Sequence, residues 1–200
     1  MGKEGQRKLL ENSTNRQKLL DKALTLFATR GYDAVGVQEI VEAAGVTKPS
    51  LYHYFGSKHG LLEALLAEYL DKLYSQVEQA AEYRNDLPYT IELVIKAFFD
   101  FARQYPLFYQ MQLGLWFAPP ASEAYLTVSR YNEKQYRLIK EVFNRAAQDH
   151  GNMKNRQEAF AVTFTGMINT YISIALKGYT ELDEDLAHQA ARQFMYGIFS

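Results

Sequence analysis

Residues 37–55 constrain the fold more than any other part of the chain, because they predict two short helices joined by a tight turn. Ile40, Val41 and Ala44 recur at the spacing of a helix that buries one face. Gly45 follows at once, where a residue without a Cβ atom can take a positive φ without steric penalty. The first helix of the pair is therefore predicted to end at this glycine.

The second helix of the pair is predicted to have one buried edge and a polar outer surface. Thr47 can cap it through its hydroxyl group, and Pro49 suits its first turn, where a missing N–H costs nothing. Leu51 and Phe55, four residues apart, can fix it against the first helix. The remaining side chains then face outward: Lys48, Ser50, Tyr52, His53 and Tyr54. This pattern is typical of a helix-turn-helix whose second helix enters the major groove of DNA.

Residues 16–62 resemble the DNA-binding domain of the tetracycline-repressor (TetR) family of bacterial regulators. The matching segments are residues 20–28 (LDKALTLFA), 31–32 (GY), 43–48 (AAGVTK) and 51–55 (LYHYF), together with Ile40 and Lys58. The two helices, the turn and the following lysine all occur at the family's spacing. Gly36 departs from the pattern, since the family usually has Ser or Thr there, but glycine is a helix cap weaker by only a few tenths of a kcal/mol.

The resemblance implies DNA contacts for a defined set of residues. These are Gln38, Thr47, Lys48, Pro49, Ser50, Tyr52, His53, Tyr54 and Lys58, of which Tyr54 and Lys58 match positions that contact phosphates. The side-chain chemistry agrees: Lys48 can donate to guanine, Gln38 can pair with adenine, and the Tyr52 ring can pack on a thymine methyl group. Taken alone, however, a lysine such as Lys48 could simply be solvated.

Charge is divided unevenly along the chain. Residues 1–60 hold nine Lys or Arg and six Asp or Glu, a net charge of +3, whereas the other 140 residues hold 13 and 17, a net charge of −4. A basic first part on an acidic body is expected when one end of a protein meets phosphates. A split of this size also arises by chance in many soluble proteins, so it is weak support for DNA binding.

Composition limits the class of protein. The 200 residues suit one or two domains with a sizeable core. No run approaches the roughly 18 apolar residues of a membrane span, and the polar first residues do not suit a signal peptide. Cysteine is absent, which excludes disulfide bonds and fits a reducing compartment. We therefore expect a cytoplasmic protein that does not enter a membrane.

The rest of the chain predicts an all-α protein, since no alternating strand pattern is present. Residues 1–12 are predicted to be a flexible arm, and the first helix is expected to start near residues 12–15. Ser57 is expected to cap a long fourth helix that ends near residue 83. Further helices are predicted near residues 88–104, 106–117, 121–149, 154–178 and 183–199.

Two domains follow from this pattern: an N-terminal three-helix DNA-binding domain at residues 1–56 and a helical ligand-binding and dimerisation domain at residues 57–200. One helix in a groove specifies too few base pairs for a genome, so we expect a homodimer on a palindromic operator. The resemblance implies that the last two helices pair with those of a second copy. Residues that could form this surface are Ala161, Thr165, Gly166, Asn169, Ser173, Leu186, Ala187, Ala190, Ala191, Phe194, Met195 and Ile198, although part of each stripe must be core.

The middle of the chain is rich in aromatic residues with polar groups between them. The predicted pocket residues are Phe98, Phe101, Tyr105, Phe108, Tyr109, Gln112, Trp116, Tyr131 and Asn169. Any one such ring more often belongs to a core. Together they favour an apolar cavity with a few polar groups, suited to a small, largely apolar effector molecule. The resemblance likewise implies an inducer pocket here, and no cofactor or metal is expected.

Other functions find less support. The four histidines lack zinc-ligand spacing, and no nucleophile elbow or phosphate loop is present, so an enzyme is not expected. Two alternatives remain: a helical module that binds a protein through its exposed tyrosines, or a regulator that activates transcription. The favoured hypothesis is a repressor whose effector moves the fourth helix and releases the operator.

Overall fold

The structure, a computed structural model, describes the backbone of residues 3–197 and the side chains of residues 14–197. The described chain forms nine α-helices and one short 3₁₀ turn at Gly151–Met153, with no strand. The helices are α1 (Lys3–Arg30), α2 (Val37–Ala44), α3 (Lys48–Phe55), α4 (Lys58–Ala80), α5 (Leu87–Gln104), α6 (Pro106–Trp116), α7 (Glu123–Asp149), α8 (Gln157–Leu176) and α9 (Glu184–Tyr196). The all-α prediction is confirmed.

Helices α1, α2 and α3 form a compact unit, called the head below. Leu20 and Phe27 of α1, Ile40 of α2 and Leu51 of α3 are all buried in it. The turn between α2 and α3 places Gly45 at φ 64°, in the left-handed region that favours glycine. The predicted helix-turn-helix is therefore present, with its apolar residues turned inward.

Helix α1 is longer than the sequence predicted. It begins at Lys3, whereas the predicted start lay near residues 12–15. Residues 3–12 are therefore helical in the structure rather than an extended arm. The physical reason is composition: lysine, glutamate, glutamine, arginine and leucine are all good helix formers, so a cap at Ser13 or Thr14 is not needed to start the helix. The side chains before residue 14, including Ser13, lie outside the described residues.

The cap of α3 also differs from the prediction. Thr47 stands at the N-cap position with extended backbone, but its side chain makes no capping hydrogen bond. Its hydroxyl group lies 3.0 Å from that of Ser50 instead. By contrast, Ser57 caps α4 as predicted, since its hydroxyl oxygen accepts a hydrogen bond of 3.0 Å from the N–H of Gly60.

Helices α4 to α9 form the body of the molecule. Helix α4 buries Leu61, Leu65 and Leu70, and it packs against α5 and α7. Helix α8 packs along α7, and α9 packs along α5. The head joins the body through α4, which continues the chain from α3, and through contacts between α1 and α6.

The alanine stripe of α9 is the part of the predicted apolar face that belongs to the core of a single chain. Ala187, Ala190 and Ala191 are buried within a single chain, where α9 packs against α5. Small side chains suit this close approach as well as they suit a dimer. The His188 ring and Glu92 add a hydrogen bond of 2.8 Å across the same contact. These alanines therefore belong to the core, and Ile198 of the predicted stripe lies outside the described residues.

Candidate DNA-binding surface and effector cleft

The outer surface of α3 presents polar and aromatic side chains to solvent. Lys48, Pro49, Tyr52 and His53 are exposed, and Tyr52 keeps 50% of its surface accessible although it is a large ring. Lys48 makes no ion pair with a carboxylate among the described residues. Its ammonium group is therefore available to a base edge or a phosphate.

The other predicted DNA contacts lie around this surface. Thr47 is exposed and Ser50 and Tyr54 are half-buried, and the Tyr54 ring stands edge-on to His53 at 5.2 Å between ring centres. Gln38 is exposed on α2, where its amide donates to the Glu42 carboxylate. The predicted residues of α2 and α3 are therefore exposed or half-buried on the head.

Gly60 fixes how closely α4 approaches α3. A Cβ atom at this position would lie 2.0 Å from the carbonyl oxygen of Phe55, the last residue of α3. Real Cβ atoms do not come this near a backbone oxygen, so only glycine allows the observed packing. The orientation of the DNA-facing helix therefore depends on this glycine, and we found no sequence signal that singles it out.

Lys58 differs from the other predicted contacts. Its ammonium group donates to the carbonyl oxygens of Tyr32 and Val35, each at 3.1 Å, and lies 4.0 Å from the centre of the Tyr32 ring. Two of its three N–H donors are thus engaged inside the chain, at the loop between α1 and α2. Its position gives Lys58 a structural role that the sequence interpretation did not include.

The start of α2 is held by charge as well as by backbone. The Glu39 carboxylate accepts a hydrogen bond of 3.1 Å from the N–H of Gly36 and also pairs with Arg30. The Gly36 N–H and then the Arg30 guanidinium hold the pKa of Glu39 below its usual value. Glu39 therefore helps to hold the start of α2, where Gly36 supplies no side-chain cap.

Most of the predicted pocket rings fill space by packing on one another. Phe101, Phe108 and Tyr109 are fully buried and meet edge-to-face, with ring centres 6.0 to 6.4 Å apart around Phe101. Tyr69 of α4 stacks on Phe108 at 4.6 Å, and Tyr105 stands against Phe101 at 5.0 Å. Together with the buried Phe98, these rings form a packed core at the junction of α4, α5 and α6.

An open cleft lies beside this core, between α6, α7 and α8. Its volume is about 530 Å³, within the range of small-molecule sites. Its lining residues are Leu113, Trp116, Phe117, Tyr136, Val162, Thr165, Gly166, Asn169, Thr170, Ser173 and Ile174. None of these side chains is charged. The cleft therefore suits an apolar group with a few neutral hydrogen bonds.

Polar groups at the cleft are incompletely paired. Thr165 is 8% exposed, and neither its hydroxyl oxygen nor the Tyr136 hydroxyl has a hydrogen-bond partner among the described residues. The Asn169 amide oxygen accepts a hydrogen bond of 2.8 Å from the Tyr109 hydroxyl. Behind them, the Gln112 amide donates to Gln135 at 3.3 Å. Because an unpaired buried polar group costs about 1–3 kcal/mol, a molecule that hydrogen-bonds here would recover part of that cost.

The structure separates the predicted pocket residues into groups. Trp116 and Asn169 line the cleft. Tyr109 lies behind its wall and donates a hydrogen bond to Asn169, whereas Gln112 donates to Gln135 and does not contact a lining residue through this bond. Tyr131 lies elsewhere, and its carbonyl oxygen accepts a hydrogen bond of 2.7 Å from Tyr74. Thr165, Asn169 and Ser173 of α8 also line the cleft, and none of them is aromatic. From their spacing along one side of α8, the sequence predicted all three as dimer-surface residues, and Asn169 also as a pocket residue. Val162, which lines the cleft beside them, was not predicted.

A second cleft, of about 720 Å³, lies at the far end of the body between α5, α7, α8 and α9. Phe143, Phe160 and Phe194 meet beneath it, with ring centres 5.7 and 5.8 Å from Phe143. Arg156 lies at its rim, 5.0 Å over the Phe160 ring. Within the described part of the chain, no cluster of three or more His, Cys, Asp or Glu is placed to hold a metal ion.

Sequence comparison decides the family. The chain is 30% identical over 195 residues to the transcriptional activator FasR of Mycolicibacterium smegmatis, and the match covers 96% of this chain and 85% of FasR. The family model described as "Bacterial regulatory proteins, tetR family" matches residues 19–65. The chain belongs to the TetR family. This TetR-family protein is therefore a DNA-binding transcriptional regulator with a helix-turn-helix.

Two further comparisons, one of sequence and one of fold, concern this TetR-family regulator. Over 88 residues it is 36% identical to the transcriptional repressor KstR2 of Rhodococcus jostii, a match covering 44% of the chain and 43% of KstR2. Its fold is similar to that of the regulator FadR of Bacillus subtilis in complex with stearoyl-CoA, with a TM-score of 0.75 and 19% identity over 91% of this chain and 98% of FadR. At that identity the second likeness concerns the fold alone.

Proposed function

We propose that the protein is a repressor that binds a palindromic operator as a homodimer and releases it when an effector occupies the α6–α7–α8 cleft. The observation that supports the DNA-binding part most directly is the outer surface of α3. There, Lys48, Tyr52 and His53 are exposed on a helix fixed from behind by Leu51 and by the close approach of Gly60. Such a helix can enter the major groove without rearrangement.

The dimer is proposed to form through the outer face of α8. This helix has a mean hydropathy of 1.5, high enough for a membrane-crossing helix by composition, yet only 22% of its apolar window is buried within the chain. Val162 is 59% exposed, and Gly166, one helical turn further on, allows close helix approach. Both residues also line the rim of the cleft, so a second copy would cover that side of it. A second copy would cover this face and place two heads on one duplex, which extends the contacted sequence.

The effector is proposed to be an acyl thioester whose apolar chain lies in the cleft. The uncharged apolar lining suits a hydrocarbon chain, and the hydroxyl groups of Tyr136 and Thr165 can donate to a carbonyl oxygen. The similar fold of FadR, which was crystallised with stearoyl-CoA, supports this class of molecule. The charged coenzyme would remain outside, since the cleft has no cationic lining residue.

The protein is proposed to act in the cytoplasm, where bacterial DNA is found.

The first experiment selects bound duplexes from a random library and then measures affinity for the selected duplex by fluorescence anisotropy. Affinity should fall steeply between about 50 and about 200 mM salt because binding releases counterions. A scrambled duplex of equal length is the control. Equal, weak binding to both duplexes would contradict sequence-specific recognition.

The effector is tested with acyl-CoA thioesters of rising chain length, with free coenzyme A as the control. Trp116 is the only tryptophan in the chain and it lines the cleft, so its fluorescence reports occupancy directly. An acyl-CoA that shifts this fluorescence should also weaken operator binding by at least about fivefold, a typical allosteric coupling. A fluorescence change with unaltered operator affinity would contradict the proposed release.

Activation is the second candidate, because FasR, to which almost the whole chain is similar, is an activator. In vitro transcription from a promoter that contains the selected operator separates the two. A repressor lowers transcript yield, and its effector restores it. An increase in transcript on adding the protein would establish activation instead.

A further inference from the structure

The head and the body meet at a polar contact that neither the helix-turn-helix nor the cleft accounts for. It joins Tyr32, in the loop between α1 and α2, to Glu123, the first residue of α7. The two residues are 91 positions apart in the chain. The head is also joined to the body through α4 and through contacts between α1 and α6. The Tyr32–Glu123 contact adds a polar constraint between the α1–α2 loop and the start of α7.

Tyr32 is firmly held on the head side. Its side chain is 3% exposed, its ring stands edge-on to Phe27 at 5.1 Å, and the Lys58 ammonium group lies 4.0 Å over its face. The hydroxyl group donates to the Glu123 carboxylate. Burial, followed by the hydrogen bond to Glu123, raises the pKa of Tyr32 above its ordinary value, so it remains a hydrogen-bond donor.

Glu123 is held on the body side by neighbouring polar groups. Its backbone carbonyl accepts a hydrogen bond of 2.6 Å from the Thr127 hydroxyl, which also lies 3.0 Å from the His59 ring of α4. His59 lies 3.7 Å from Glu63, and Glu63 pairs with Arg130 of α7 at 2.6 Å. The first two turns of α7 are therefore tied to the start of α4, directly beneath the head.

The same helix reaches the proposed effector cleft. Tyr136, whose hydroxyl group has no described partner, lines the cleft 13 residues after Glu123. At 1.5 Å per residue, these positions lie about 20 Å apart along one helix. A displacement of α7 at Tyr136 is therefore transmitted to Glu123 without any intervening joint.

We propose that Glu123 is a positioning residue that couples the cleft to the head: α7 shifts when the cleft is occupied, and the Tyr32–Glu123 hydrogen bond turns the head with it. This inference rests on the proposed function, because it takes the cleft as the effector site. It adds a second route to the movement of α4, with a defined contact at its end.

Helix α6 is the rival route, since it too lines the cleft and touches the head. The Gln110 amide donates to the Ala28 carbonyl oxygen at 3.0 Å, but Gln110 is exposed, so water competes for that bond. Tyr32 is buried, and loss of its acceptor would leave an unpaired hydroxyl group. The two contacts therefore differ on the head side, where the Tyr32 hydroxyl group is buried, although the Glu123 carboxylate is exposed as Gln110 is. Helix α6 also packs directly on α1, so both routes are tested below.

The test fills the cleft without requiring the natural effector. The chain has no cysteine, so a Ser173→Cys variant can be alkylated at a single site inside the cleft with N-ethylmaleimide or the longer N-hexylmaleimide. Affinity for the selected duplex is measured before and after alkylation, with light scattering to verify an unchanged oligomeric state. The same pair of measurements is made with Tyr32→Phe added, which removes only the hydroxyl group.

Alkylation should change the operator Kd by at least about fivefold in Ser173→Cys and by less than about twofold once Tyr32→Phe is present. Glu123→Ala should uncouple in the same way, and Glu123→Gln should restore coupling, because its amide oxygen still accepts the hydrogen bond. Gln110→Ala should leave the coupling intact. If Tyr32→Phe fails to fold, the Glu123 variants test the coupling in its place.

Two results would overturn the inference. An equal response to alkylation with and without the Tyr32 hydroxyl group would show that the signal does not pass through Glu123, while the cleft would remain an effector site. No response to alkylation in any variant would remove the cleft as the effector site, and the coupling role of Glu123 with it. Unaltered operator binding by the unmodified Ser173→Cys variant separates either result from a loss of DNA binding.

Discussion

At the scale of single residues, Lys48 and Lys58 have the same charge but different surroundings. Lys48 lacks a described ion-pair partner on the outer face of α3, whereas Lys58 donates to Tyr32 and Val35 within the chain. Lys48→Ala should therefore weaken operator binding by about 1–3 kcal/mol and relax sequence preference, with little change in Tm. Lys58→Ala should lower the Tm and weaken binding to all duplexes alike. Anisotropy on single-base operator variants and thermal unfolding measure both effects, and an unaltered Tm in Lys58→Ala would contradict its structural role.

Glu39 makes the stability of the head depend on pH in the acidic range. Because its folded pKa lies below the ordinary value, its contribution to stability is present above that value and is lost as the pH falls through the folded pKa. Glu39→Gln should lower the Tm at about pH 7 but reduce the further loss at about pH 3.5. Glu42→Gln, on the same exposed helix, is the control. Equal pH dependence in wild type and Glu39→Gln would contradict the assignment.

At the scale of helices, sequence periodicity located most elements because each buries one side along its length. The boundaries of α5 (Leu87–Gln104) follow from Asp86 and Pro88 at its start, and the predicted range matched it almost completely. The predicted start of α1 was wrong, because a composition that permits a helix does not show at which residue the helix begins. Contacts between distant elements, such as Tyr32 with Glu123, leave no periodic trace and could not be predicted.

Prediction of the pocket from the sequence has the same limit, as the packed rings of α5 and α6 show. Sequence predicted that Phe101 and Phe108 would lie in the interior, but not whether they would enclose a cavity or fill one another's space. That distinction depends on Tyr69 of α4, which stacks on Phe108 and is 39 positions away in the chain. Trp116 and Asn169 were predicted as pocket residues, and in the structure they line the cleft beside these packed rings.

The approach of α4 to α3 can be tested at this scale. Gly60→Ala forces a Cβ atom into the Phe55 carbonyl oxygen and should lower both the Tm and operator affinity, by roughly 1–3 kcal/mol for an overpacked contact. Gly114→Ala is the control, because Gly114 also lies within a helix but its Cβ atom would meet nothing within 4 Å. It should be neutral or stabilising by up to about 1 kcal/mol. A Gly60→Ala protein as stable as wild type would show that α3 and α4 can separate freely.

At the scale of the whole molecule, function depends on two heads held at a fixed separation. Helix α8 is largely uncovered within one chain, and its exposed residues are mostly small or uncharged, with Val162 as an exposed apolar side chain. The alanines of α9 are already used against α5. The dimer contact is therefore expected to lie mainly on α8, with the exposed polar face of α9 at its edge. Since Val162 and Gly166 of this face also line the cleft, occupancy and dimer geometry are expected to influence one another.

A charged substitution on α8 tests whether the dimer contact lies there. In a two-fold dimer a residue near the axis meets its own copy, so Val162→Glu would bring two carboxylates together, at a cost of several kcal/mol. Light scattering should show monomers, and affinity for the full palindrome should fall by at least about tenfold toward that of a half-site. Leu126→Glu on α7 is the matched control, because Leu126 is 61% exposed and Val162 is 59% exposed. It adds the same charge outside α8 and should leave the protein dimeric. A Val162→Glu protein that remains dimeric would place the contact elsewhere, and the separation of the heads could no longer be derived from α8.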